Sequence, residues 1–109
     1  MASNPERDIQ RRGVELLRQA GFTVCETSNR RRTLNTSGTP DLFVSVGGKL
    51  WIGIEVKARG GKLSKAQARL AHMGHIYVCI NEDGILDTAL RAREASRQVR
   101  RLIIKGQVK

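Results

Sequence analysis

Three charged side chains lie at the ends of two adjacent β-rich runs that should otherwise be apolar. Asp41 begins the run 41–46, and Glu55 and Lys57 lie at the end of the run 50–57. Three residues that include two glycines separate the runs, which is typical of a β-hairpin loop. The sequence therefore predicts a hairpin whose open end carries two carboxylates and an ammonium group.

The loop predicts which residues face each other across this hairpin. With residues 47–49 as the loop, paired residues have numbers that sum to 96, so that Asp41 faces Glu55. Side chains alternate between the two faces of a strand, so Glu55 and Lys57 share one face. Carboxylates that oppose each other destabilise a sheet unless a positive charge offsets them. A divalent cation such as Mg²⁺, which prefers carboxylate oxygens and water, would supply that charge.

An ordinary ion pair is the alternative interpretation of these charges. In that case Lys57 pairs with Glu55 or Asp41 on an edge hairpin, and no cation is needed. Glu-Val-Lys alone is a common tripeptide, but Pro-Asp at the start of one strand and Glu-X-Lys at the end of its partner form a more specific combination. The combination favours the metal interpretation.

Composition predicts one soluble domain. The 109 residues, 39% of them hydrophobic, suit a single domain over residues 1–109, with a core at about 5–90 and a basic C-terminal helix or tail at 91–109. No apolar run reaches the length of a membrane span, and the N-terminus lacks the apolar segment of a signal peptide. We therefore expect no membrane association and no export by that route.

The charge balance predicts a nucleic-acid partner. Lys and Arg number 20 against 10 Asp and Glu, which gives a formal charge of +10. The excess is clustered, and two clusters lie near the hairpin in sequence: Arg30, Arg31 and Arg32, and then Lys57, Arg59, Lys62, Lys65 and Arg69. A solvated surface, an acidic protein or a membrane surface could also account for such runs. With only four aromatic residues, a single-strand binder that relies on base stacking is disfavoured.

The remaining elements follow from periodicity and end signals. Asn4 and Pro5 begin an amphipathic helix over 4–20, whose apolar face includes Ile9, Leu16, Leu17 and Ala20. A short strand follows at 22–26. The polar segment 27–39, which contains the three arginines, is predicted to be a DNA-engaging loop.

The second half of the chain indicates a strand-helix-strand unit. After a glycine-rich turn, Ser64 caps a helix that runs to about residue 73, with Gln67 on its first turn. Gln67 is either a plain surface residue or a group that reaches the acidic site. The apolar run 76–80 predicts a central strand, parallel to the second hairpin strand. A basic C-terminal helix ends the chain.

Four motifs together resemble a known family. They are Glu6 on the first helix, Gly38-Thr39-Pro40-Asp41, Glu55-Val56-Lys57, and Ser64-X-X-Gln67. In order and spacing they resemble the PD-(D/E)xK nucleases over about residues 6–90, specifically the standalone VRR-Nuc domains of phages and bacteria. They are also similar to archaeal Holliday-junction resolvases. The resemblance implies an α/β fold with a restriction-endonuclease-like αβββαβ core, in which helices flank a mixed central sheet.

The resemblance also implies roles for individual residues. Asp41, Glu55 and the Val56 carbonyl would hold Mg²⁺ or Mn²⁺, and Glu6 would contribute directly or through water. Asp8 and Glu15 are the other candidates for the helix carboxylate. Lys57 would orient or activate the attacking water, and Gln67 would support the site.

The expected function is a Mg²⁺-dependent, structure-selective endodeoxyribonuclease. Four-way DNA junctions are the expected substrate, and the two symmetrical nicks that they require imply a homodimer. The cytoplasm of a bacterium or of a phage host is the expected location. A restriction-like or flap nuclease, or a non-catalytic DNA-binding module of the same fold, is the alternative.

Overall fold

The computed structural model describes residues 4–27 and 38–104, which form three helices and four strands. In chain order these are α1 (Pro5–Gln19), β1 (Val24–Glu26), β2 (Leu42–Gly47), β3 (Leu50–Val56), α2 (Lys65–His72), β4 (Ile76–Cys79) and α3 (Glu82–Ile104). The α/β class and the order αβββαβ are confirmed. The predicted C-terminal helix begins earlier than expected, because α3 is continuous from Glu82.

The sheet is mixed and has the strand order β1-β2-β3-β4. β2 is antiparallel to both β1 and β3, and β4 is parallel to β3. Leu42 pairs with Ile54 and Val44 pairs with Ile52, so that the predicted sum of 96 is confirmed. The loop is tighter than predicted: the register shifts between Ser45 and Gly47, and β3 resumes at Leu50.

The prediction that the run 76–80 forms a central strand is wrong, although its parallel pairing is confirmed. β4 lies at the edge of the sheet next to β3. Only Ile76 and Cys79 are buried, whereas Tyr77 is 48% exposed and Ile80 is 51% exposed. A continuous apolar run is the usual mark of a strand buried on both faces, and here much of that apolar surface remains open.

The hydrophobic core lies between one face of the sheet and the helices α1 and α3. Leu17, Leu42, Ile54 and Ile85 are fully buried in it. The Asn4 side chain caps α1 by accepting a hydrogen bond from the Arg7 backbone N–H, as the sequence predicted. The buried face of α1 differs in part from the prediction, because it contains Ile9, Gly13, Val14 and Leu17 while Ala20 is exposed.

The opposite face of the sheet carries α2, which is short and contributes no buried residue. This face holds Glu55 and Lys57, so α2 lies over the predicted site. The arginines Arg30, Arg31 and Arg32 lie outside the described residues. Within the described ranges, no helix is long and apolar enough to span a membrane.

Candidate functional site

Asp41 is fixed at the mouth of the hairpin by the backbone of β3. Its Oδ2 accepts a hydrogen bond of 2.8 Å from the Val56 N–H. The N–H and C=O of a strand residue point to the same side, so the Val56 carbonyl is directed toward β2 as well. Asp41 and the Val56 carbonyl therefore lie on the same side of β3, as the proposed metal ligands require.

Pro40 and Gly53 determine how closely the segment before Asp41 approaches the sheet. A Cβ atom at Gly53 would lie 2.8 Å from Pro40 Cγ and 3.3 Å from Ile76 Cγ2. Gly38 has a φ of +87°, and a Cβ atom there would lie 3.0 Å from Leu70 Cδ1 and 3.1 Å from Ala66 Cβ of α2. The residues that precede Asp41 in the Gly-Thr-Pro-Asp motif are thus packed between β3 and α2.

We expect Gly53→Ala to lower stability and to displace Asp41 by disturbing the packing of Pro40 against β3. The added methyl group must displace the Pro40 ring, which would lower stability by roughly 1–3 kcal/mol, as overpacking does, and would shift Asp41. Thermal unfolding measures the loss of stability, and the rate of cleavage of labelled DNA in Mg²⁺ measures the effect of the shift of Asp41. Gly60→Ala is the matched control for a glycine lost nearby, because no atom lies within 4 Å of a Cβ there, although its positive φ of +82° adds some strain. Equal losses in both variants would contradict the packing argument.

Glu55 is the most deeply buried charged residue of the site, with 3% of its surface exposed. Its Oε2 accepts a hydrogen bond of 2.9 Å from Gln67 Nε2 and lies 3.4 Å from Lys57 Nζ. Its Oε1 is buried and has no hydrogen-bond partner. In the ionised pair this oxygen has no donor, which is costly for a buried carboxylate. A proton shared with Asp41 through a side-chain hydrogen bond offsets that cost, and a cation ligand would take the place of that proton.

The pKa of Glu55 rises from its ordinary value of 4.5 to about 7. Burial is the largest cause, and the neighbouring Asp41 carboxylate is the second. Lys57 acts in the opposite direction, but it only partly compensates. Without a cation, the two carboxyl groups therefore retain a proton near neutral pH, and a cation that binds between them must displace that proton.

Lys57 shares a face with Glu55, as the alternation of the strand predicted. Its side chain is 15% exposed, and its backbone N–H donates to the Cys79 carbonyl across the parallel pair. The ammonium group thus sits beside the carboxylate and still reaches the surface. Its contact with Glu55 is the ion pair of the alternative interpretation, and that ion pair leaves Oε1 of Glu55 without a partner.

Gln67 reaches the site and also caps α2. Its Nε2 donates to Glu55, while its Oε1 accepts a hydrogen bond of 2.9 Å from the Ser64 N–H. The Ser64 side chain in turn accepts from the Gln67 N–H, which completes a capping box. Of the two interpretations that the sequence left open, a plain surface glutamine is wrong.

Glu6 lies on the first turn of α1 and lines a cleft of about 460 Å³ together with Asp41. Its Oε1 is 3.3 Å from the position that a Cβ would take at Gly61, so it faces the turn after β3. Asp8 is exposed and does not line the cleft. Glu15 also lines the cleft, but it is exposed and forms an ion pair with Arg11 at 3.5 Å. Glu6 is therefore the best placed of the three helix carboxylates.

The sequence interpretation missed two polar residues in this cleft, Gln10 and Glu26. Gln10 Nε2 donates to Glu26 Oε1 at 3.2 Å, and Arg18 lies 3.8 Å from Glu26 Oε2. A sequence signal was present for Gln10, which is four residues after Glu6 on one helix. Glu26 had no such signal, because its pairing with Leu42, the residue after Asp41, is known only from the structure.

The predicted DNA-binding residues after β3 form a surface without acidic compensation. Arg59, Lys62, Lys65 and Arg69 are all exposed, and none is in an ion pair with another described residue. No Asp or Glu occurs between Glu55 and Glu82. These four cations flank Gln67 and follow Lys57 in the chain, so the segment that supplies both side-chain contacts of Glu55 Oε2 is strongly basic.

The donor set at the site is small. Asp41, Glu55 and the Val56 carbonyl supply hard oxygen ligands of the kind that Mg²⁺ and Mn²⁺ accept together with water. In residues 4–27 and 38–104, no group of three or more His, Cys, Asp or Glu side chains is close enough to hold a metal ion. The fit to a cation therefore depends on two carboxylates and a carbonyl, with Glu6 as a more distant carboxylate.

Comparison with protein-family models, with curated proteins and with solved structures found no match to this chain.

Proposed function

We propose that this protein is a Mg²⁺- or Mn²⁺-dependent endodeoxyribonuclease of the PD-(D/E)xK kind, with a restriction-endonuclease-like core. The observation that carries the proposal is Glu55 Oε1, a buried carboxylate oxygen without a partner beside a second carboxylate, Asp41. Burying Glu55 beside a second carboxylate, with an ion pair to Lys57 that only partly compensates, is unfavourable for a domain that only has to fold. The motif resemblance assigns the same two residues to a metal.

Asp41, Glu55 and the Val56 carbonyl would hold the cation, with Glu6 as a direct or water-bridged contributor. When bound, the metal would lower the pKa of a coordinated water and offset the charge that develops on the phosphate. Lys57, which still reaches the surface beside Glu55, is suited to orient the attacking water or the phosphate. Gln67 positions Glu55 through its hydrogen bond.

The basic surface formed by Arg59, Lys62, Lys65 and Arg69 supports DNA as the substrate. These side chains are suited to contact phosphates, which position a duplex without reading its sequence. The distribution of charge around one site favours recognition of backbone shape over base sequence. Four-way junctions nicked by a homodimer are the substrate that we propose on this basis.

A substrate panel tests the proposal. Purified protein is incubated with labelled four-way junction, flap, linear duplex and single-stranded DNA, in the presence of Mg²⁺, Mn²⁺ or EDTA. We expect symmetrical nicks in the junction with either metal and no cleavage in EDTA. Preference for linear duplex or flaps would change the proposed substrate class, and cleavage that persists in EDTA would exclude the metal mechanism.

Lys65→Ala should weaken DNA binding uniformly across sequences. Loss of one phosphate contact reduces the steepness of the dependence of log K on log salt by about 0.9. Fluorescence anisotropy at several salt concentrations measures this slope. Lys49→Ala at the hairpin tip, also exposed but at the opposite end of β3, is the control and should leave the slope unchanged. Equal effects in both variants would show that only net charge matters.

A non-catalytic DNA-binding module of the same fold is the second candidate. The observation that favours it is the absence, in the described part of the chain, of a third carboxylate close enough to complete a metal cluster. This candidate predicts salt-sensitive DNA binding without cleavage, and binding that Lys57→Ala leaves unchanged apart from the loss of one charge. The substrate panel distinguishes the two.

A further inference from the structure

The outer edge of β4 differs from the rest of the surface in both charge and polarity. Residues 70–81 contain no Asp, Glu, Lys or Arg and form the longest such run in a chain that is 28% charged. At this edge Tyr77 is 48% exposed, Val78 39% and Ile80 51%. Edge strands of soluble domains usually carry charges or are covered, because their free backbone groups pair with other chains. No other described strand pairs with this edge.

The backbone of β4 indicates which groups point outward. The Cys79 carbonyl accepts from the Lys57 N–H and is therefore directed toward β3. Because backbone groups alternate along a strand, the N–H and C=O of Ile76 and Val78 point away from β3. The same alternation, continued by one residue past the end of β4, directs those of Ile80 outward as well. Three residues at alternate positions thus present free donors and acceptors at an uncharged edge.

We infer that this edge is the contact surface for a second copy of the chain, which pairs with it antiparallel about a two-fold axis at Val78. In that register Val78 faces Val78 of the second copy, and Ile76 faces Ile80, so that the outward groups can form about six backbone hydrogen bonds. The chain has a charge of +10, so two copies repel over most of their surfaces, and an uncharged edge minimises this cost. An exposed tyrosine at an edge depleted of charge is also typical of an interface centre.

The pairing would also set the geometry of the two acidic sites. Glu55 is the register partner of Val78 on β3. A two-fold axis at Val78 therefore places the two Glu55 residues in one row, three strand spacings or about 14 Å apart, on the same face of an eight-stranded sheet. Two sites on one face can act on two strands of one branched DNA. This last step rests on the proposed nuclease function, whereas the pairing itself does not.

The experiment measures oligomeric state without metal or DNA, by sedimentation equilibrium at micromolar concentrations. The wild type should have twice the chain mass of 12.1 kDa. Val78→Pro removes the outward N–H, which β3 does not use, so it should retain the fold by circular dichroism and sediment as a monomer. Val78→Thr keeps the N–H and the branched shape and is the matched control, which should remain a dimer. Ile80→Lys, at an exposed position, should weaken the dimer at least tenfold through charge and decides the question if Val78→Pro does not fold.

A monomeric wild type would overturn the inference, as would a dimer that neither Val78→Pro nor Ile80→Lys weakens. A wild-type dimer that cleaves no DNA would support the inferred interface and contradict the proposed nuclease function. If both hold, Val78→Pro should nick junctions on one strand at a time, whereas the wild type should produce paired nicks.

Discussion

Asp41→Asn should lower the rate of DNA cleavage by about a hundredfold to a thousandfold, the size of effect seen when one charge-stabilising group is lost from an active site. Asparagine retains an oxygen that can accept the 2.8 Å hydrogen bond from the Val56 N–H, so the hairpin should keep its geometry. What is lost is the negative charge beside Glu55 that a cation requires. Single-turnover cleavage of the preferred DNA in Mg²⁺ measures the effect.

Asp87→Asn is the control for this substitution. Asp87 is exposed on α3 and pairs with Arg91 at 2.9 Å, away from the proposed site, so its loss removes the same charge from the protein without touching the acidic pair. DNA binding measured in EDTA should be equal in the two variants. Full cleavage activity in Asp41→Asn would contradict the assignment of Asp41 as a metal ligand.

Glu55→Gln should stabilise the cation-free protein above pH 7 while it removes activity. The pKa of Glu55 is about 7 in the folded state against 4.5 for the ordinary group, so the folded state binds more protons between these values. The stabilising contribution of this group is complete below pH 4.5 and is lost as the pH rises through 7. At pH 8 the ionised Glu55 has therefore lost about 3 kcal/mol of its contribution to the free energy of unfolding. A neutral glutamine at this position does not undergo that loss.

Urea denaturation at pH 4.5 and at pH 8 without divalent cations tests this prediction. The difference in unfolding free energy between Glu55→Gln and the wild type should grow in favour of the variant as the pH rises. Added Mg²⁺ should reverse the order at about a thousand times its Kd, because it stabilises only the wild type, by about 4.1 kcal/mol at that concentration. Glu94→Gln, on the exposed side of α3, should show neither effect. A variant that is less stable than the wild type at pH 8 would mean that Glu55 is a structural ion-pair partner of Lys57.

The register of the hairpin and the faces of its side chains could be predicted, because both depend on residues close together in sequence. A loop with two glycines restricts the possible registers, and alternation then places Glu55 and Lys57 on one face. The start of α1 could be predicted equally well, because Asn4 and Pro5 act within one turn of the helix. Each of these features depends on neighbours in sequence.

Features that depend on contacts between segments far apart in sequence could not be predicted from the sequence. The apolar run 76–80 has the same pattern whether a strand lies on its outer side or not, so its edge position had no local signal. The contact of Pro40 with Gly53 requires that two segments cross in space. The sequence predicted Ser64 as the cap of α2 and left Gln67 as either a surface residue or a site residue. That Gln67 both completes the cap and reaches Glu55 depends on how α2 lies over the sheet.

The two hydrogen bonds of the Gln67 amide join the start of a helix to the charge state of a strand. Its oxygen holds the first turn of α2, and its nitrogen holds Glu55. Fraying of that turn would release the carboxylate, and loss of the carboxylate would loosen the turn, so the two belong to one cooperative opening unit. Amide hydrogen exchange in residues 65–68 would then report events at Glu55, although none of these amides lies on the same strand. A helix that contributes nothing to the buried core would in this way sense what the site has bound.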